Sequence, residues 1–198
     1  MDESTFHGQY LEDFKILKEQ IKEYLAGDHD YLFDSVELHT IQTYLGGLRQ
    51  DLDGNTIYGD YDLVTTLTEN VLSTVGWLSE KGVNFRENIA MPVGAMWRRG
   101  HKPVEDKGTE FINTLGGYIR DNGGEILVET KATKLILENN KVVGVEAEQV
   151  DGTKVILHAN NGVVMATGGF GVNTKMLQDY DNYWGAIPDN IKTTNASG

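Results

Sequence analysis

At Gly123-Gly124 the hydrophobic period of this chain changes from about 3.6 residues to about 2. Before that pair, apolar residues recur every third or fourth position. After it they alternate with polar ones. A helical part and a strand-built part therefore follow one another, which predicts an α+β class. Leu11, Phe14, Leu17, Ile21 and Leu25 mark a first amphipathic helix, ended by Gly27 and Asp28. Asp34 or Ser35 can cap a second, running to about Leu48 with Ile41, Tyr44 and Leu45 inward. A third is expected over 61–81, capped by Asp60 or Asp62 and stopped by Gly82, with Leu63, Leu67, Val71, Leu72 and Val75 in its stripe and Trp77 in the core. A fourth, over 105–122, should bury Phe111, Ile112, Leu115, Tyr118 and Ile119.

Beyond the switch, residues 125–129, 132–137, 141–150 and 153–158 read as successive strands. Glu138-Asn139-Asn140 and Asp151-Gly152 are hairpin turn signals, so the strands form a β-meander. The chain then reaches Gly-Val-Val-Met-Ala-Thr-Gly-Gly-Phe-Gly at 162–171. Val163 to Ala166 is an unbroken apolar run, which suits a strand buried on both faces. Gly168 and Gly169 at its carboxyl end either let a ligand approach bare backbone or simply make a turn. A short helix over 172–180 and an irregular tail follow.

Composition narrows the possible functions. The 198 residues carry a net charge of −13, which argues against nucleic acid and against anionic membrane surfaces as partners. No apolar run is long enough to span a membrane, and the start, Met1-Asp2-Glu3-Ser4, lacks the form of a secretory leader. A cytoplasmic location is the expectation. With no cysteine, thiolate metal sites and thiol catalysis are excluded. Asp51, Asp53 and Asn55 have the first ligand spacings of a calcium loop, but Thr56 stands where glycine is needed and Asp62 where a bidentate Glu belongs, so a solvated turn is favoured. No metal is expected. The dense basic cluster of this acidic chain is Trp97-Arg98-Arg99-Gly100-His101-Lys102, in a loop broken by Pro92, Gly94 and Pro103.

Helices, basic loop, helix, meander and Thr-Gly-Gly strand, in that order, resemble the flavoprotein subunit of fumarate reductase and succinate dehydrogenase, in the soluble flavocytochrome-c-like branch that includes urocanate reductase. The resemblance covers about Glu23 to Gly198 and rests on Trp77 to Val83, Arg98 to Pro103, Gly144-Val145, Ala166 to Phe170 with Asn173, and Thr194 to Gly198. It implies FAD as cofactor and reduction of an activated alkene by hydride transfer from flavin N5. The fold implied is part of an α/β FAD-binding fold, helical over 1–122, meander and Gly-Gly strand over 123–171, and a tail over 172–198. Carried over residue by residue, Ala132 lies where adenine pairs with strand backbone, and Thr167, Gly168 and Gly169 where the chain passes the cofactor. Asn195 and Ala196 would lead into a further flavin loop, and Arg99 and His101 sit in the loop approaching the flavin side, as candidates to polarise flavin or substrate.

The sequence departs from the family in having no Gly-x-Gly-x-x-Gly unit. The proton-donating arginine and the residues that hold a substrate carboxylate belong to a capping domain beyond Gly198. The chain is thus expected to be an internal piece of a flavoenzyme, inactive by itself, whose partners are a small unsaturated dicarboxylate or similar acid and the rest of the parent flavoprotein. Apolar surface left uncovered could drive a homodimer. Two other readings stand beside this one: an acidic α+β interaction module, and a ketosteroid-type flavin dehydrogenase, which the Arg-Arg-Gly-His loop suits less well.

Overall fold

A computed structural model describes residues 6, 8–51 and 53–180 of the chain. It divides into two compact units, Met1–Ile126 and Leu127–Gly198. Among the described residues, five helices and two small antiparallel sheets make up an α+β fold.

In the first unit, α1 (Gly8–Ala26) buries Tyr10, Phe14 and Leu17. These pack with Phe6 and with Ile41 of α2 (Val36–Gly47) into one core. The rings of Phe6 and Phe14 stack at 4.1 Å, and Tyr10 meets Tyr44 edge-on at 4.5 Å, geometries that add to the gain from area burial. Ser35 caps α2 by accepting a hydrogen bond from the Leu38 amide at 3.1 Å. The two-residue strands β1 (Arg49–Gln50) and β2 (Thr56–Ile57) form a small hairpin. The Asp51 carboxylate accepts from the amides of Asp53 and Asn55 and from the Asn55 side chain. Those bonds hold its pKa below the usual carboxylate range, and the oxygens a calcium loop would offer a metal close the turn instead.

Helix α3 (Tyr61–Glu80) is capped by Asp60, whose side chain accepts from the Leu63 amide. It meets α2 through a buried pair of hydroxyls, Thr40 and Thr68, 2.6 Å apart. Thr68 can donate to the Val64 carbonyl at 3.2 Å, which leaves its oxygen to accept from Thr40. The apolar stripe expected of α3 is only partly covered: Leu63, Leu67, Leu72 and Trp77 are exposed. Helix α4 (Thr109–Asp121) likewise leaves Ile112, Tyr118 and Ile119 exposed. Trp77 and Tyr118 instead flank the Lys81 ammonium, which lies 4.3 Å from the Tyr118 ring centroid and 5.9 Å from that of Trp77.

The second unit is the expected meander, β3 (Thr130–Glu138), β4 (Lys141–Gln149) and β5 (Lys154–His158), paired antiparallel in that order. Asn139 and Asn140 both take positive φ, as a two-residue hairpin turn requires. Two expected strands are not formed. Residues 125–129 precede β3 without pairing, and 163–166 pair with no described strand, with Val164 and Met165 exposed. An apolar run becomes a buried strand only where neighbours supply its ladder, and none lies alongside among the described residues. The short helix α5 (Thr174–Tyr180) follows.

Two residues hold these units to their geometry. A Cβ at Gly144 would lie 2.3 Å from the Leu157 carbonyl oxygen across β4 and β5. Gly144→Ala should therefore destabilise the meander by about 1–3 kcal/mol, read as a lower denaturation midpoint of its β signal. Glu110, buried at the start of α4, accepts from the Asn84 amide, the Asn84 side chain and the Glu105 amide. The Asn84 bonds lead in holding its pKa below the ordinary value. A lowered folded-state pKa means that this anchor stabilises above the ordinary carboxylate range and is lost as pH falls through the lowered value. The exchange protection of the Asn84 amide, its rate relative to the intrinsic rate at each pH, should fall on acidification through and below the carboxylate range. In Glu110→Gln the protection should already be lower at neutral pH, with the acid step gone.

Candidate functional site

The basic loop over 82–104 is folded back on itself before it meets a helix. Phe85 bridges Pro103 and Ala90 bridges Gly100, both antiparallel. A Cβ at Gly100 would lie 3.0 Å from the Ala90 oxygen and from Pro92, so a larger residue at the crossing would require its neighbours to give way. The Arg86 guanidinium binds the carbonyls of Pro103 and Val104 and the Asp106 carboxylate. Asn84 and Glu105, the two ends of the loop, share the Glu110 carboxylate.

Its tip is fixed to the entry of α2. Trp97 Nε1 donates to the Phe33 carbonyl at 2.9 Å. Arg99 forks onto Asp34, with Nε at 2.8 Å from Oδ2 and a terminal nitrogen at 2.6 Å from Oδ1, and its other terminal nitrogen donates to Gln42 Oε1 at 2.7 Å. Such a bidentate pair is geometrically specific as well as charged. Ser35 takes the cap of α2, which leaves the Asp34 carboxylate for Arg99. Arg99, expected from the sequence to face flavin or substrate, thus spends most of its donors on holding the loop.

Against this clamp lies a cavity of about 460 Å³. Its apolar lining is Val36, Val71, Leu72, Val75 and Ile89; its polar lining includes Arg98, His101, His39, Ser35 and Thr68. His101 therefore does line a cavity, with its ring edge-on to Phe85 at 6.0 Å. Burial first, and then the Arg99 charge, hold His39 below the usual histidine pKa, while Asp34 pulls the other way. The imidazole is accordingly neutral at neutral pH. A second cavity, of about 410 Å³, lies under Pro92 to Gly100 and shares His39 and Arg99 with the first. His39 and Asp34 escaped the sequence reading as site residues, since nothing in the primary structure links position 34 to position 99. The spacing of His39 and Gln42, one helical turn apart on α2, is the only signal that could have suggested a shared face.

The residues expected at FAD lie in the second unit. Ala132 stands on β3, an edge strand whose outer backbone has no described strand beside it. A bulge follows at Thr133, and Lys131 and Thr133 line a cavity of about 650 Å³ with Glu129, Thr130, Glu148 and Gln149. Thr167, Gly168 and Gly169 are exposed. Gly168 has φ +76, and among the described residues nothing lies within 4 Å of where its Cβ would be. A free strand edge and open space over bare backbone at a left-handed glycine fit a flat, hydrogen-bonding cofactor. Asn195 and Ala196 lie outside the described residues.

Known proteins share this arrangement. Residues 29–191 match the FAD binding domain family. The chain is 56% identical over 198 residues to an NADH:acrylate oxidoreductase of Vibrio harveyi, covering 98% of this chain and 20% of that protein. It is 30% identical over 150 residues to a probable fumarate reductase of Shewanella frigidimarina, covering 74% of this chain and 24% of that one. An NADH:fumarate oxidoreductase of Klebsiella pneumoniae is 27% identical over 168 residues, 83% of this chain and 17% of that protein. The chain thus spans about a fifth of the length of the curated relatives it matches. Among solved structures, the open form of a flavocytochrome c3 fumarate reductase superposes with a TM-score of 0.66 at 27% identity, over 83% of this chain and 27% of that one. A 3-ketosteroid dehydrogenase of Rhodococcus jostii shares the fold, with a TM-score of 0.56 at 23% identity over 74% of this chain and 35% of that one. On these matches the chain belongs to the FAD binding domain family, among flavoproteins of the fumarate reductase type.

Proposed function

We propose that this chain forms part of the FAD-binding domain of an oxidoreductase that reduces the double bond of a small unsaturated carboxylate. The observation that carries the reading is the 56% identity, sustained over 98% of the chain, to an NADH:acrylate oxidoreductase. The geometry supports it in two places. In the second unit, the β3 edge at Ala132 and the open backbone at Thr167 to Gly169 would hold the cofactor; Asn195 and Ala196, outside the described residues, join the site by resemblance alone. In the first, Arg98 and His101 bring positive charge and hydrogen-bond capacity to a cavity of an acidic protein, which suits a carboxylate.

Bound FAD would supply the hydride. The residues of this chain would bind and orient, and the proton would come from the part of the parent protein that this chain does not span. The chain by itself is accordingly inactive and works with the remainder of that flavoprotein. Leu63 and Leu67 of α3 and Ile112 and Ile119 of α4, exposed and outside the lining of that cavity, favour self-association of the isolated chain, as a homodimer.

An absorbance scan of the purified chain, before and after soaking in FAD and desalting, tests the cofactor site. Retained flavin bands are expected, and Gly168→Leu should abolish them. Gly152→Leu is the matched control: Gly152 has the same backbone handedness, in the β4–β5 turn, and is not among the residues proposed to meet FAD. Flavin retained by the Gly168 variant would sink the site, and a parent protein that neither binds FAD nor oxidises NADH with acrylate would sink the activity.

A further inference from the structure

The cavity beside the basic loop has an uneven distribution of charge. Arg99 is neutralised by the Asp34 carboxylate, to which it forks. His39 is half-buried and feels the charge of Arg99, a setting that favours the neutral imidazole. Arg98 makes no ion pair or hydrogen bond among the described residues, although it lines the same cavity. With Asp34, Arg98 and Arg99 the formally charged groups of the lining, the cavity carries one uncompensated positive charge, in a chain whose net charge is −13.

The rest of the lining offers no second Arg or Lys without a partner: Arg99 is held by Asp34, the Thr68 hydroxyl pairs with Thr40, and Ser35 caps α2. Val71, Leu72 and Val75 of α3 and Ile89 of the loop are apolar, and Leu72 is exposed for want of a neighbour. A carboxylate at the Arg98 end would gain a planar, charge-assisted pair. A second carboxylate placed against the α3 wall would lose its water without finding a partner. An alkyl, alkenyl or aromatic tail there would instead bury apolar surface on both sides. The volume of about 460 Å³ accommodates tails well beyond three carbons.

We propose that this cavity is a binding site for monocarboxylates with an apolar tail, in which Arg98, and not Arg99, takes the carboxylate, and α3 with Ile89 takes the tail. The inference rests on the reading above only in choosing carboxylates as the anion class; it needs neither flavin nor turnover. It narrows the substrate class from small unsaturated acids in general to those with a single carboxylate.

The test is a titration of the chain, without FAD, by propionate, butyrate, 3-phenylpropionate and succinate, followed by NMR of the imidazole signals of His39 and His101. The five histidines stand at positions 7, 29, 39, 101 and 158, so these two signals are assigned by single replacement. The expected result is that the monocarboxylates shift both signals and bind about three- to fourfold more tightly per added methylene, while succinate binds more weakly than butyrate. Arg98→Gln should weaken butyrate by about tenfold or more. Because Arg98 is exposed and makes no described ion pair or hydrogen bond, the variant should keep the wild-type dispersion of its other signals. Succinate binding as well as butyrate, affinity unchanged in Arg98→Gln, or no shift with any acid would each overturn the proposal. Loss of FAD binding with butyrate binding intact would count against the flavoenzyme reading alone.

Discussion

The fork of Arg99 onto Asp34 and Gln42 is the contact on which the first unit's site depends. It joins residues 65 positions apart and brings a loop with little regular structure against the start of α2. Trp97 reinforces it by donating to the Phe33 carbonyl, one residue from Asp34. Glu110 closes the base of the same loop by taking the amides at both its ends. Between these two anchors the chain has few options left, and Arg98 and His101 are carried to the cavity as a consequence. The charged fork is one of several contacts, with the Trp97 and Arg86 hydrogen bonds and the two backbone bridges, that together offset part of the entropy of ordering a long loop.

The two arginines show how neighbours of one type can have opposite roles. Arg99 is mostly enclosed and its donors are committed; Arg98 is exposed and its donors are open. In the sequence, Arg99 and His101 are the natural choices for the ligand side, and His101 does reach the cavity. Arg99 reaches it too, but as part of the wall. The distinction lies in Asp34, a residue that the sequence offers equally well as a helix cap. Once Ser35 takes the cap, the carboxylate before it is released to hold the loop.

Exposure on α3 and α4 follows from the same accounting. Leu63, Leu67, Leu72 and Ile112 have the helical spacing of core residues, yet the first unit covers only part of each stripe. The run at 163–166 has the composition of a buried strand and no described strand to pair with. In each case the pattern states that a surface is made to be covered, and only the fold can supply the cover. The curated relatives are about five times as long as this chain, so the pattern and the exposure are compatible with one another.

The amino-acid sequence by itself determined the α+β class, the starts of α2 and α3 to within a pair of candidate caps each, the β3–β4–β5 meander, though with one strand too many before it, and the turn at Asn139-Asn140. These depend on side-chain period and on local backbone preference, which act over a few residues. It also carried the resemblance to the fumarate reductase flavoproteins, through short motifs kept in order. Only the tertiary structure decided that Arg99 is a clamp and Arg98 a free charge, that His39 belongs to the site, and that Thr40 meets Thr68 between two helices. Those outcomes depend on which distant group the fold brings within reach of a charge or a hydroxyl, and a one-dimensional pattern has no term for such competition.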